Sequence, residues 1–327
     1  MRQYRIDWSQ REGETVCRLV EGNTAAEVLP GFGMNIIRFI AGGEDVVLPP
    51  PSISALKAAP FRYGIAALSP PGKTSNARFA YRGVEYRLPS RNGKHNVHGE
   101  IGRWPWRIES YGADADSGAY LQASFAYRHD SGGFAAYPAD LEFSVTLRLK
   151  NGELALEGCA RNAGDRSAPF SLGYHPYFCC DPNHTILEVP TFAQWSIGGD
   201  GNFDALREAT DLALRLREGI AVSDIQEKLL CVQCRSFDDS ERSSPYICAL
   251  TDRESGRRIL FQTDGLFAVM IIFLPPWGEA VSLEPHTCIP NAFNLSRDAS
   301  ETGASAIAPG QHIQFGWRIR VESDASE

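Results

Sequence analysis

Three segments of the chain carry groups able to move protons. GYHPYF (173–178) sets His175 beside Pro176, which fixes the local chain, with Tyr174, Tyr177 and Phe178 as aromatic walls. HNVHGE (95–100) sets His98 before Gly99, a residue that permits close backbone approach or an unusual dihedral. VSLEPHTCIPNAFN (281–294) places Glu284 at the end of an apolar strand, where Pro285 is expected to stop the ladder. An imidazole and a carboxylate at one pocket suit a reaction that removes one proton while delivering another, since at neutral pH an ordinary carboxyl is ionised and an ordinary imidazole partly protonated. An unperturbed histidine is only about one-quarter protonated at pH 7, so an acid role calls for carboxylates beside it, and Asp238 and Glu284 are candidates. Each of these residues, taken alone, suits a hydrogen-bonded structural position as well.

The composition narrows the partners. The 327 residues carry a formal charge of −8, which argues against nucleic acid and anionic membrane, because both need a concentrated basic surface. A small neutral ligand fits better. The N-terminal MRQYRIDWSQREGETV has no apolar core of a secretory signal, and no run reaches the ~20 apolar residues of a membrane span, so the expected location is cytoplasmic. The eight cysteines are too sparse for a disulfide scaffold. Cys231 and Cys234 lack the two further ligands of a structural zinc site, and adjacent Cys179 and Cys180 point to opposite faces of a strand, so all read as reduced thiols. His95 and His98 have no third partner in reach of their spacing, so no metal site is expected.

The elements that must position these groups are strands. Apolar residues alternate at Leu141, Phe143, Val145, Leu147 and Leu149, then at Leu154 and Leu156 beyond Asn151-Gly152. That pair supplies the positive φ angles of a tight type I′ turn, so residues 140–160 form a hairpin. Residues 246–252 and 257–263 flank the turn formers Asp252 to Gly256 as another hairpin, and Ile313 to Val321 alternate after Pro309-Gly310 as a closing strand. Short strands between turn signals predict an all-β fold, an antiparallel sandwich or barrel, with 1–327 as a single domain. One stretch departs from this, because DALREATDLALRLRE (204–218) has helical spacing and strong helix formers.

The ordered set NVHG (96–99), GYHPYF (173–178), FDD (237–239), LEP (283–285) and PNAFN (290–294) resembles the aldose 1-epimerase, or galactose mutarotase, family. No single motif is specific; their order is. The likeness runs from about residue 25 to 321, including the final alternating strand. It implies a large antiparallel β-sandwich of the galactose mutarotase type, a monosaccharide substrate, no cofactor, and a monomer or homodimer. It moves 204–218 from a helix to loops and short strands. Position by position, it makes His175 the general acid toward the pyranose ring oxygen and Glu284 the general base toward the anomeric hydroxyl. His98 matches a sugar-contacting histidine, and Asp238, with Asp239 as rival, a carboxylate that accepts from sugar hydroxyls. Tyr177, Phe178 and Trp277 either offer apolar faces to the sugar or fill the core.

Several departures bear on the substrate. Many mutarotases carry an arginine on the loop before the first histidine; the nearest register here offers Lys73, with Arg78 five residues on. Lysine lacks the planar fork for two parallel hydrogen bonds. Glu100 stands where His-Gly-Gly is usual, either facing solvent or adding a charge that rejects anionic sugars. Arg103 has a spacing similar to the hexose-6-phosphate 1-epimerase branch, which needs a cationic pocket, and Lys73, Arg78 and Arg103 are its candidates. A non-catalytic sugar-binding protein on the same fold is the further alternative.

Overall fold

The computed structural model describes residues 3–90, 93–128, 137, 139–199, 201–235 and 244–323. Two large sheets face each other, and every paired strand within them runs antiparallel to its neighbour. The first sheet, of 12 strands, begins with the meander Tyr4–Arg11, Glu14–Glu21, Thr24–Leu29, Asn35–Ala41 and Glu44–Val47. It continues through Gly173–Cys179, Ala280–His286, Val269–Phe273, Leu229–Cys234, Thr191–Ile197 and Phe203–Glu208, with Ile65–Leu68 joining Asn35–Ala41 to Gly173–Cys179. The second sheet, of 9 strands, contains the expected hairpins Leu141–Lys150/Glu153–Asn162 and Tyr246–Asp252/Arg258–Thr263, with the closing strand His312–Glu322 between them. At the first hairpin Asn151 and Gly152 have φ of 55° and 77°, as a type I′ turn requires. No helix among the described residues is long and apolar enough to cross a membrane.

The core lies between the two sheets, and the period of two decides which side chains enter it. On Gly173–Cys179, Tyr174 packs against Phe267, Phe315 and Trp317, and Phe178 against Phe261. The wall of three aromatics expected at 174, 177 and 178 is therefore corrected: two of them belong to the core, and only Tyr177 lines the opposite face with His175. The neighbouring Ala280–His286 divides the same way. Val281 and Leu283 join the core, while Glu284 and His286 line a cleft on the other side.

The 204–218 stretch is half strand and half helix. Phe203–Glu208 pairs with Thr191–Ile197, and Asp211–Glu218 is helical. Thr210 caps that helix, its hydroxyl accepting from the Ala213 N–H at 3.1 Å. The helical spacing thus holds only beyond residue 210; before it, an open strand edge recruits the chain.

Candidate active site

The two central strands bring His175 and Glu284 together by register. Gly173 stands opposite His286 and Tyr177 opposite Ser282, and the same register places His175 opposite Glu284. Ladder pairing is interrupted between those two points. Pro176 and Pro285 both lie in the gap, and a proline has no N–H to give to a ladder. Pro285 does not end its strand, which runs on to His286 through pairing with Val269–Phe273; the expected stop is corrected.

His175 Nε2 lies 3.3 Å from Glu284 Oε1, with both side chains buried. The Ser282 hydroxyl donates to the Pro176 carbonyl at 2.8 Å, and its Oγ lies 2.9 Å from His175 Nδ1. A hydroxyl has one proton to give, so Nδ1 carries hydrogen toward Oγ and Nε2 is left to exchange a proton with the carboxyl. Tyr177 stacks on the imidazole at 4.8 Å between centroids.

His98 arrives on a turn that its own motif builds. The Asn96 side chain accepts from Gly99 N–H at 2.9 Å and donates to the Pro89 carbonyl and to Glu100 Oε1. His98 and Gly99 both take left-handed φ, 67° and 65°. A Cβ on Gly99 would lie 1.7 Å from the Ser69 carbonyl oxygen, so only glycine fits. Glu100 is 1 % exposed and holds this turn, which corrects the solvent-facing reading. His98 Nδ1 accepts from Gly72 N–H at 3.2 Å, which leaves the ring proton on Nε2. Its ring lies 5.1 Å from that of His175, and one donor atom each from His98, His175 and Glu284 falls within 4.8 Å of the other two.

Burial sets the charge of this cluster. Desolvation pushes the Glu284 carboxyl up to about 7, with His175 pulling it back. It pushes His175 down to about 4, opposed by Glu284, and His98 and His286 down to about 3. At neutral pH His98 and His286 are therefore neutral. His175 and Glu284 share one proton between about pH 4 and 7.

The cleft has a volume of about 570 Å³, enough for a sugar, and is otherwise largely apolar, with Phe61, Phe203, Ile271 and Phe273 among its walls. Lys73 lines it, its Nζ donating to the Gly201 carbonyl at 2.9 Å. The two arginines lie elsewhere. Arg78 is 3.7 Å from Glu85 on the surface, and Arg103 packs over the ring of Phe61 at 4.7 Å without itself lining the cleft. Phe178 is in the core, and Trp277 lies against Tyr177 beneath the Arg62 guanidinium. Asp238 and Asp239 lie outside the described residues. PNAFN ties the surrounding loops: the Asn291 side chain accepts from Ser75 N–H and donates to Asn202, while Pro290 reaches the cleft. Sequence reasoning passed over Ser282 and His286, although both share a strand face with Glu284 at intervals of two.

Fold and cleft together define a mutarotase-like β-sandwich. A galactose mutarotase-like protein from Clostridium acetobutylicum superposes with a TM-score of 0.89 at 17% identity, covering 98% of this chain and 99% of that one. Galactose 1-epimerase from Lactobacillus acidophilus NCFM superposes at 0.76 with 14% identity over 99% of both. In sequence, the uncharacterized protein YihR of Escherichia coli (strain K12) is 23% identical over 237 residues, 70% of each chain. The family model for aldose 1-epimerase matches residues 17–320, and the chain belongs to that family.

Proposed function

We propose that the protein interconverts the α and β anomers of a free aldose such as glucose or galactose. The observation that carries this is the contact between His175 Nε2 and Glu284 Oε1 at 3.3 Å in a sugar-sized cleft, with Nδ1 of the imidazole already held by Ser282. The pair holds the single proton the reaction needs. A bound pyranose offers its ring oxygen as acceptor to His175 Nε2–H and its anomeric hydroxyl as donor to the Glu284 carboxylate, so binding favours the ionised arrangement of the pair. Glu284 then takes the anomeric proton while His175 protonates the ring oxygen, and the bond from C1 to that oxygen breaks to give the open aldehyde. Rotation about C1–C2 presents the other carbonyl face, and reversal of both transfers closes the opposite anomer. No net proton or electron is exchanged. His98, which lines the same cleft with its ring proton on Nε2, donates to a sugar oxygen.

Free aldose is favoured over hexose 6-phosphate because, of the three candidate cations, Lys73 lines the cleft while Arg78 and Arg103 lie outside it. Polarimetry on freshly dissolved α-glucose, α-galactose and α-glucose 6-phosphate tests both points. The expected result is decay well above the buffer blank for a free sugar, reduced on the order of 10²- to 10⁴-fold by Glu284→Gln. Retained activity in that variant would remove Glu284 as base, and decay no faster than the blank on several sugars would leave a sugar-binding protein.

A further inference from the structure

We propose that His286 is a positioning residue for the base: its Nε2–H donates to Glu284 Oε2 and holds the carboxylate in place while Oε1 works against His175. The role rests on the anomerisation reading; the contact does not. Nε2 of His286 lies 3.4 Å from Glu284 Oε2, the carboxylate oxygen other than the one His175 approaches. Two residues apart on one strand, both side chains reach the cleft.

The surroundings are shaped for an imidazole that packing alone does not require. His286 is fully buried, yet neither ring nitrogen completes a hydrogen bond to a protein group, and Nε2 has Glu284 Oε2 at 3.4 Å. A leucine would fill the volume without burying two unpaired polar atoms. Across the strands stands Gly173, whose Cβ, if it had one, would lie 2.5 Å from His286 Cδ2. One strand gives up a side chain so that the next can carry this ring. The 3.4 Å contact is longer than a finished hydrogen bond, as acid/base contacts often are before substrate closes on them.

Other groups facing the carboxyl leave this donor its task. His98 and His175 are pushed toward neutrality by burial, and the Tyr177 hydroxyl and Cys231 thiol are pushed up, so both remain uncharged. Arg103 acts on His98, and Arg62 on Tyr177. The ionised carboxylate therefore relies on short-range N–H donors, and Oε2 faces that of His286.

The test uses His286→Leu, which removes the donor, His286→Gln, whose amide nitrogen can occupy the Nε2 position without titrating, and His286→Asn, whose amide is too short to reach. Carbon-13 carboxyl NMR on the ligand-free protein follows Glu284, assigned by its loss in Glu284→Gln. Even at 3.4 Å an N–H dipole beside Oε2 favours the ionised carboxylate, so without it the Glu284 midpoint is expected to rise, by up to about one pH unit, in the Leu and Asn variants and to stay in place in Gln. By polarimetry, kcat should fall about tenfold or more in Leu and Asn with KM within about twofold, while Gln restores most of it. The melting temperature of the Leu variant should not drop. Unmoved midpoints in Leu and Asn would overturn the contact, and kcat equal to wild type in either, or equally lost in Gln, would overturn the positioning role. Absence of anomerisation in the wild type would remove the function while the carboxyl titration still decides the contact.

Discussion

Replacing Ser282 by alanine isolates the device that aims His175. The Oγ lies 2.9 Å from His175 Nδ1 and donates to the Pro176 carbonyl at 2.8 Å, in a position without solvent access. Alanine deletes both contacts and leaves the buried imidazole N–H of His175 without a partner, a loss of about 1–3 kcal/mol. Unfolding entropy near 2.1 cal/mol/K per residue converts that to a fall of about 2–4 °C in Tm for a chain this long. The effect on turnover is separate. The imidazolium form of His175 loses a charge-assisted bond of about 1.5–3 kcal/mol, so kcat should fall about 10- to 150-fold. Because that bond favours the protonated ring, its loss also lowers the His175 pKa and moves the acidic limb of the pH–rate profile to lower pH. Polarimetric kcat across pH, with a melting curve on the same sample, separates the two effects. A variant that melts earlier but turns over like the wild type, with its acidic limb in place, would refute the argument that Ser282 orients the acid.

The pair itself predicts a bell-shaped kcat/KM in the free enzyme, with limbs near the values of about 4 and about 7. Below the first the pair gains a second proton and loses its base; above the second it loses its only proton and with it the acid, so a profile flat from pH 6 to 9 would contradict the shared-proton arrangement. Gly99→Ala should cost well over 2 kcal/mol in urea unfolding and abolish turnover, since its Cβ would meet the Ser69 carbonyl oxygen at 1.7 Å and force the His98 turn to move. Gly152→Ala, also at positive φ but with nothing within 4 Å of the added carbon, should cost only about 1–2 kcal/mol and leave turnover intact.

What the sequence disclosed depended on whether a strand has one wet face. Leu141–Lys150 and His312–Glu322 alternate buried side chains with half-buried or exposed ones along much of their length, so their period of two is written in polarity. Gly173–Cys179 and Ala280–His286 are buried on both faces, one against the second sheet and the other in the cleft, so the same period leaves little polarity signal. That is why Tyr174 and Phe178 read as equals of Tyr177, and why His286 went unnoticed two residues from Glu284. Pro285 deepened the concealment, because a proline is expected at an edge or an end. Here Pro285 and Pro176 fall where the two central strands do not exchange ladder bonds, each directly after the residue that faces the other across the gap. The signal that looked like the end of an element lies instead at the opening through which His175 and Glu284 meet. For the same reason the order of the motifs was informative while the loop arginines were not: strand register fixes a side chain to within a residue, whereas loop spacing left Arg78 and Arg103 free to lie outside the cleft.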